Sequence, residues 1–519
     1  MPVSRYYYSL GQYFDEVSLV SSERPALCYS SGIYSYRVFL NLVERLSAML
    51  INRGCRRGDV IAIGHNKYPL SYALMMAALR LGVSYTNLDV FSPVERTSHI
   101  IQICRPILLC YDDPRYTDAM AALASIGNCP LVLLTEDLLP EVSDAQRGQQ
   151  KGMIKLVDSA CIAYIMFTSG STGIPKGVAV THQNVLHFIE WGQSYFGITN
   201  QDNFAQLSPM YFDNSVFDFY LALFSGASLS PIYRELLTKP YDLVSHVNRI
   251  ACTVWFSVPS LLIYLTTMKT MTSVALPSLR IIVFGGEGYP KVELRKLFEQ
   301  FSTQATLTNV YGPTECTCIC SAHTLRNEDF LDMDGLPTLG RLNPNFDYLI
   351  LNDEGINDTN GELCLIGPNV AAGYYNNIDL TSKYFITLTE SDRFMKRMYR
   401  TGDLVREVNG NLHFIGRRDN QVKHMGYRIE LEDIENALVK LPKVNQAIVL
   451  YYKMNSSYGK LIGFISSAEH LDEKDLIMDL ARSLPSYMIP SRLIVVPQLP
   501  INPNGKVDRN QLRDLVEIS

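Results

Sequence analysis

The stretch Ala163-Tyr-Ile-Met-Phe-Thr-Ser-Gly-Ser-Thr-Gly-Ile-Pro-Lys-Gly177 changes character halfway along. Its first five residues are apolar or aromatic and read as a buried strand. From Thr168 onward the composition becomes hydroxyls, three glycines, one proline and one lysine. Glycine lets backbone N–H groups converge on an anion, Thr168, Ser169, Ser171 and Thr172 add hydroxyl donors, and Lys176 adds a point charge. That is the composition of a loop wrapped around phosphate oxygens. A Walker loop requires its lysine directly after glycine, and Lys176 follows Pro175, so that class is excluded. Taken alone, the stretch is equally compatible with a Gly/Ser surface turn.

The surroundings place this loop in an alternation of strands and helices. Before it, Arg37 to Ile51 carries helical spacing, Val60 to Ile63 reads as a strand, and Tyr72 to Leu81 is helical and stops at Gly82. Ile107 to Tyr111 and Leu131 to Leu134 are further short apolar strands, and Val178 to Thr181 resumes as a strand after the loop. Downstream, Thr253 to Val258, Arg280 to Phe284 and Leu307 to Val310 repeat the pattern, each followed by a turn with Gly or Pro. Continuous apolar strands between helices imply mostly parallel sheets covered on both faces, with ligands at the loops after the strand ends. Gly285-Gly286-Glu287-Gly288 and Tyr311-Gly312-Pro313-Thr314-Glu315 lie at such places.

Between Phe346 and Asp419 short alternating strands and Asn, Asp and Gly turns suggest an antiparallel subdomain. Beyond it the pattern is α+β: a helix over Glu430 to Leu441, strands over Ala447 to Tyr452 and Leu461 to Ser466, and a helix over Glu473 to Leu484. The expected class is therefore α/β. A large N-terminal lobe, residues 1–418, holds mostly parallel sheets flanked by helices plus a small antiparallel β subdomain. A small C-terminal α+β lobe, residues 419–519, follows.

At 519 residues the chain is too long for one simple core. A net charge of −6 argues against a nucleic-acid binder. Eleven cysteines without paired spacing read as reduced thiols of a cytoplasmic protein. Cys316, Cys318 and Cys320 alternate as if on one strand face, where they read as packing before they read as metal ligands. The N-terminus lacks the basic flank and apolar core of a signal peptide, and no apolar run is long enough to span a membrane.

Five further segments carry a family resemblance: Tyr311 to Glu315, Gly361-Glu362-Leu363, Tyr399-Arg400-Thr401-Gly402-Asp403-Leu404, Gly416-Arg417-Arg418-Asp419 and Asn504-Gly505-Lys506-Val507-Asp508-Arg509. With the glycine loop, Phe212-Asp213-Asn214-Ser215 and Leu484-Pro485-Ser486-Tyr487-Met488-Ile489-Pro490, they stand in one order. Together they resemble the adenylate-forming superfamily, and most closely a freestanding amino-acid adenylation domain of nonribosomal peptide synthesis, an activity of secondary-metabolite biosynthesis.

The resemblance implies an ATP-dependent ligase with Mg²⁺. A carboxylate attacks the α-phosphorus of ATP, two anions are forced together, and pyrophosphate leaves. Lys506 is similar to the lysine that bridges the carboxylate and the α-phosphate as charge builds. Thr168, Ser169, Gly170, Ser171, Thr172, Gly173 and Lys176 would hold the β and γ phosphates. Glu315 is expected to bind Mg²⁺, with Thr314 at the α-phosphate. Tyr311 would stack on adenine, Asn309 would read its amino edge, Gly312 would join them in binding ATP, and Asp403, assisted by Arg417, would accept the ribose hydroxyls. Asp419 resembles the hinge between the lobes, after which Lys423 to Arg428 would face an acceptor thiol.

By the same resemblance Asp213 pairs with a substrate α-ammonium, so the acyl group is an α-amino acid. Asn214, Phe217, Phe256, Ile282, Phe284, Val310, Cys318 and Ile319 would line a side-chain pocket without charge. Three phenylalanines on its walls suggest a shallow slot for a small apolar residue, proline, alanine or similar, with proline favoured by the flat walls. The acceptor would be the phosphopantetheine thiol of a separate peptidyl carrier protein, since no carrier motif follows Lys506; neither a nucleic acid nor a membrane is expected as partner. Departures from the family pattern occur at Asn87, Ala372 and His424-Met425. The alternatives are an acyl-CoA synthetase on the same scaffold, which Asp213 opposes, and a catalytically silent nucleotide-binding scaffold.

Overall fold

The computed structural model describes residues 6–170, 174–344, 346–388, 396–453, 459–467, 469, 471–496, 498–500, 507, 509 and 511–513. They divide into two compact units: residues 1–90, 101–167 and 177–418 form the first, and residues 91–100, 168–176 and 419–519 the second.

The first unit is built on two large sheets. In the nine-stranded sheet the strands Pro25–Tyr29, Ser228–Pro231, Asn203–Gln206, Val254–Ser257, Ile281–Gly285 and Thr306–Tyr311 run parallel, and antiparallel strands close both edges. In the seven-stranded sheet Val60–Gly64 is central among parallel neighbours, and Ile162–Thr168 leads into the glycine loop. Strands buried on both faces need apolar residues at every position, and Val60–Gly64 and Ile281–Gly285 are buried throughout. The helices Pro69–Leu81 and Asn214–Phe224 are buried around nearly their whole circumference, which their apolar composition permits. One apolar core includes residues from both sheets, while a second lies under Ile282, Phe284, Leu294 and Leu307. The antiparallel subdomain is a five-stranded sheet containing Asn360–Ile366 and Lys396–Val408.

In the second unit the hairpin Gln421–His424/Tyr427–Glu430 turns at Met425 and Gly426, both with positive φ, as a twisted two-residue hairpin loop requires. The helices Leu431–Val439 and Glu473–Leu480 pack around a core with the three-stranded sheet Gln446–Lys453, Gly459–Ser466 and Arg492–Val496.

Two expectations change. The last helix ends at Leu480, with Ala481 as its C-cap, instead of continuing to Leu484, where Pro485 already disfavours helical backbone at the residue before it. The segment around Cys316, Cys318 and Cys320 is no strand: Thr314–Cys316 is a single 3-10 turn, and Thr317 and Cys318 adopt left-handed backbone that turns the chain back into the antiparallel strand Ser321–Thr324. All three cysteines are buried in apolar packing, and none of the eleven cysteines of the chain is in a disulfide. No helix among the described residues is long and apolar enough to cross a membrane.

Candidate active site

Three of the expected nucleotide residues meet in the first unit. Tyr311, at the end of its strand, donates its hydroxyl to Asp403 Oδ2 at 2.6 Å, and Arg417 Nη1 bonds to Asp403 Oδ1. Asp403 and Arg417 are cross-strand partners, so the antiparallel register itself sets them side by side. Burial and the neighbouring Asp403 carboxylate push the Tyr311 phenol well above its usual range, which keeps it a neutral donor. Asn309 is buried and spends its side-chain N–H on Thr338 O at 2.8 Å, leaving the amide oxygen as an acceptor. Gly312 packs tightly under the carbonyl of Cys318.

Glu315 is wholly buried and receives the Tyr374 hydroxyl at 2.8 Å. Tyr374 belongs to the segment Val370 to Tyr374, and nothing in its spacing marked it as a partner of Glu315. Among the described residues no group of three or more His, Cys, Asp or Glu gathers around a point. The single buried carboxylate of Glu315 suits Mg²⁺, which takes a carboxylate oxygen and completes its shell with phosphate and water oxygens. Thr314 donates its hydroxyl to Asp213 Oδ2 at 2.6 Å, so here it meets the expected ammonium-binding carboxylate.

Asp213 sits at the N-terminus of the helix Asn214–Phe224, whose next turn carries Phe217. Phe217 is fully buried, with its ring 5.0 Å from Phe256, 5.2 Å from Phe196 and 5.9 Å from Phe204. Phe217, Phe256, Val310, Cys318 and Ile319 share one apolar cluster. Burial holds the Cys318 thiol well above its usual pKa, so it is neutral packing and no nucleophile. Asn214 lies beside the backbone of Gly286.

Ile282 and Phe284 do not join them. Both belong to the second apolar core, where Phe284 packs edge-on against Tyr289 at 5.1 Å. The reason is strand parity: Phe256 is the register partner of Val283, and Val310 of Gly285. Partners in adjacent strands share a face, so the pocket side of this strand carries Val283 and Gly285, and Ile282 and Phe284 point to the other side. The slot thus loses one of its expected phenylalanines. Val283 was missed because a strand apolar at every position carries no polarity that marks its faces.

In the second unit Gly170 closes the glycine loop so tightly that a Cβ there would stand 2.1 Å from Ile174 O, which only glycine allows. Thr168 Oγ1 is buried without a hydrogen-bond partner among the described residues, a hydroxyl from which a phosphate oxygen could accept. Lys176 Nζ pairs with Glu430 at 3.0 Å, and Ser169 Oγ donates to Arg428 O at 2.8 Å. Ser171, Thr172, Gly173 and Lys506 lie outside the described residues. Asp419 begins the last segment of this unit.

Residues 14–375 match the AMP-binding enzyme family, and residues 433–506 match the AMP-binding enzyme C-terminal domain. Two relatives named D-alanine--D-alanyl carrier protein ligase, from Bacillus anthracis (strain CDC 684 / NRRL 3495) and Bacillus thuringiensis (strain Al Hakam), are 30% and 31% identical over 88% of this chain and 89% of their own. Among solved structures, the Vibrio cholerae adenylation domain AlmE in complex with glycyl-adenosine-5'-phosphate has a TM-score of 0.84 at 23% identity, covering all of both chains. An NRPS protein containing adenylation and PCP domains has a TM-score of 0.82 at 24% identity, over 98% of this chain and 84% of that one. The chain belongs to the AMP-binding enzymes, adenylate-forming ligases that use ATP with Mg²⁺.

Proposed function

We propose that this enzyme activates a small apolar α-amino acid as its aminoacyl adenylate and passes it to the phosphopantetheine thiol of a carrier protein. The observation that carries the reading is the Asp213 carboxylate, bonded to Thr314 and preceding the helix that carries Phe217 into the apolar cluster. A carboxylate there answers an ammonium, and the apolar surface of Phe217, Phe256, Val283 and Val310 answers a side chain without polar groups. Relatives named for D-alanine and for a carrier protein support both halves of the proposal, and bring D-alanine in particular among the candidates beside proline.

The roles follow. Asp403 and Arg417 hold the ribose, Tyr311 and Asn309 the adenine, and the loop from Thr168 to Lys176 the β and γ phosphates. Glu315 holds Mg²⁺, which supplies charge neutralisation at the phosphates. Lys506 stabilises the pentacoordinate phosphorus as the substrate carboxylate attacks and pyrophosphate departs. Asp419, where the chain passes from the first unit into the last segment of the second, acts as the hinge between residues 1–418 and 419–519, and the hairpin from Lys423 to Arg428 serves the transfer step.

ATP–pyrophosphate exchange across the amino acids, both stereoisomers of alanine included, tests the reading. The expected result is exchange with a small apolar amino acid, which Lys506→Ala abolishes while leaving transfer from a supplied adenylate largely intact. Exchange only with carboxylic acids lacking an amine would overturn it.

A further inference from the structure

We propose that Glu362 is a positioning residue for the nucleotide, holding the Asp403–Arg417 pair in place through an irregularity of the antiparallel sheet. The proposal rests on the reading of Asp403 as the ribose acceptor. The motif Gly361-Glu362-Leu363 has no part in the chemistry derived so far, yet its carboxylate is among the most heavily bonded in the described structure.

The pairing of Asn360–Ile366 with Lys396–Val408 runs regularly from Ile366↔Met398 to Cys364↔Arg400 and then jumps to Glu362↔Leu404. Leu363 alone thus stands opposite three residues, Thr401, Gly402 and Asp403. Such a bulge re-aims side chains and leaves ladder groups unpaired. Gly402 carries it with φ +72°, a conformation open to glycine. The freed groups are taken up locally. Gly402 N–H donates to Glu362 Oε1 at 3.2 Å, Asp403 N–H to Thr401 Oγ1 at 3.0 Å, and Thr401 Oγ1 in turn to Leu363 O at 2.6 Å.

Glu362 is buried, with 5% of its side chain exposed, and also binds two guanidinium groups: Arg400 through Nε at 3.3 Å and through Nη2, and Arg418 through Nη1 at 3.0 Å. Arg418 N–H closes the figure by donating to Gly402 O at 2.9 Å. Glu362 therefore grips Gly402, the neighbour of Asp403, and Arg418, the neighbour of Arg417. One buried carboxylate fixes the residues adjacent to both members of the ribose pair. A pair set by packing alone would need no such charge; this one is held by charge-assisted bonds to a carboxylate that Arg400 and Arg418 share, and without it Arg418 keeps only the exposed Asp353, at 2.9 Å.

The test is calorimetric binding of Mg·ATP and Mg·2′,3′-dideoxy-ATP to the full chain, with discrimination taken as the ratio of the two Kd values. Two hydroxyls on a charged acceptor predict roughly 100-fold discrimination in the native protein. Asp403→Asn should lower it. Glu362→Ala should lower it by about tenfold, Glu362→Gln by less, since its amide oxygen still accepts from Gly402, and Glu362→Asp least. Ile350→Ala, a core truncation in the same sheet, should lower Tm and leave the ratio unchanged. If Glu362→Ala does not fold, Glu362→Gln and Arg400→Gln carry the same measurement. An unchanged ratio in the Glu362 variants beside a reduced one in Asp403→Asn overturns the proposal; an unchanged ratio in Asp403→Asn overturns the ribose reading itself.

Discussion

The proposed nucleotide clamp and the proposed amino-acid pocket both lie in the first unit, but they are held by different forces. The clamp is a set of charged hydrogen bonds: Tyr311 and Arg417 on Asp403, Arg400 and Arg418 on Glu362. The pocket wall is packing: rings of Phe217, Phe256, Phe196 and Phe204 at 5 to 6 Å, with Val283 and Val310 brought alongside by register. Charged groups can be recognised one by one because each needs a partner. Apolar groups acquire a role only from the face on which the fold leaves them.

The sharpest break between the two regions comes at Asp213, the carboxylate that accepts from Thr314. Asp213→Ala should cut exchange with amino acids by about a thousandfold, since a charge pair loses one member, and leave the Kd of Mg·ATP near its native value. Equal loss of both would merge the two regions into one.

Next in size is Phe284→Ala. On the face that packs with Tyr289, it should lower unfolding free energy by about 3 kcal/mol in a denaturant titration while leaving the order of preferred amino acids unchanged. A changed order would return Phe284 to the pocket. Val283→Leu should do the reverse: it adds one methylene to the pocket face, so kcat/KM for the largest accepted amino acid should fall by about tenfold relative to the smallest, with little change in stability.

The smallest effect concerns pH. His65 and His182 are buried, and burial lowers both to about 3; the nearby Lys67 adds to the shift at His65. The unfolded chain binds protons on these groups from about pH 6.5 downward while the folded chain does not, so stability is present above pH 6.5 and is lost as pH falls. Asp112, raised by burial to about 6, acts oppositely between 6 and its unfolded value and offsets one of the two histidines. His182 accepts the Leu10 N–H at 3.1 Å, a bond that an asparagine oxygen can replace. His182→Asn should therefore remove about 1.4 kcal/mol of acid destabilisation per pH unit, read as a flatter Tm between pH 6 and 4. A Tm profile parallel to that of the native protein would mean that His182 is not the group that titrates.

The same contrast explains what could be read from the chain. Strand Ile162–Thr168, the glycine loop and the α/β alternation were legible because local composition shifts at each boundary. Tyr311, Asp403 and Arg417 were legible as motif residues, and the antiparallel pairing brings them together. Ile282 and Phe284 were misplaced, and Val283 overlooked, because a doubly buried strand hides its parity. Glu362 was visible as a motif but not as a hub, since the bulge that gives it a task exists only when two strands 40 residues apart are paired.

By itself, then, the order of residues determined the elements, the glycine-and-hydroxyl composition of the loop proposed for phosphate and the identity of the charged groups, because turns, glycines and buried charges each answer a local physical demand. Tertiary structure alone decided which side of Ile281–Gly285 shares a face with Phe256 and Val310 and which carboxylate bonds to the neighbours of Asp403 and Arg417. Both depend on strand register, and register is a property of pairs of segments, fixed only when their faces are buried against something else.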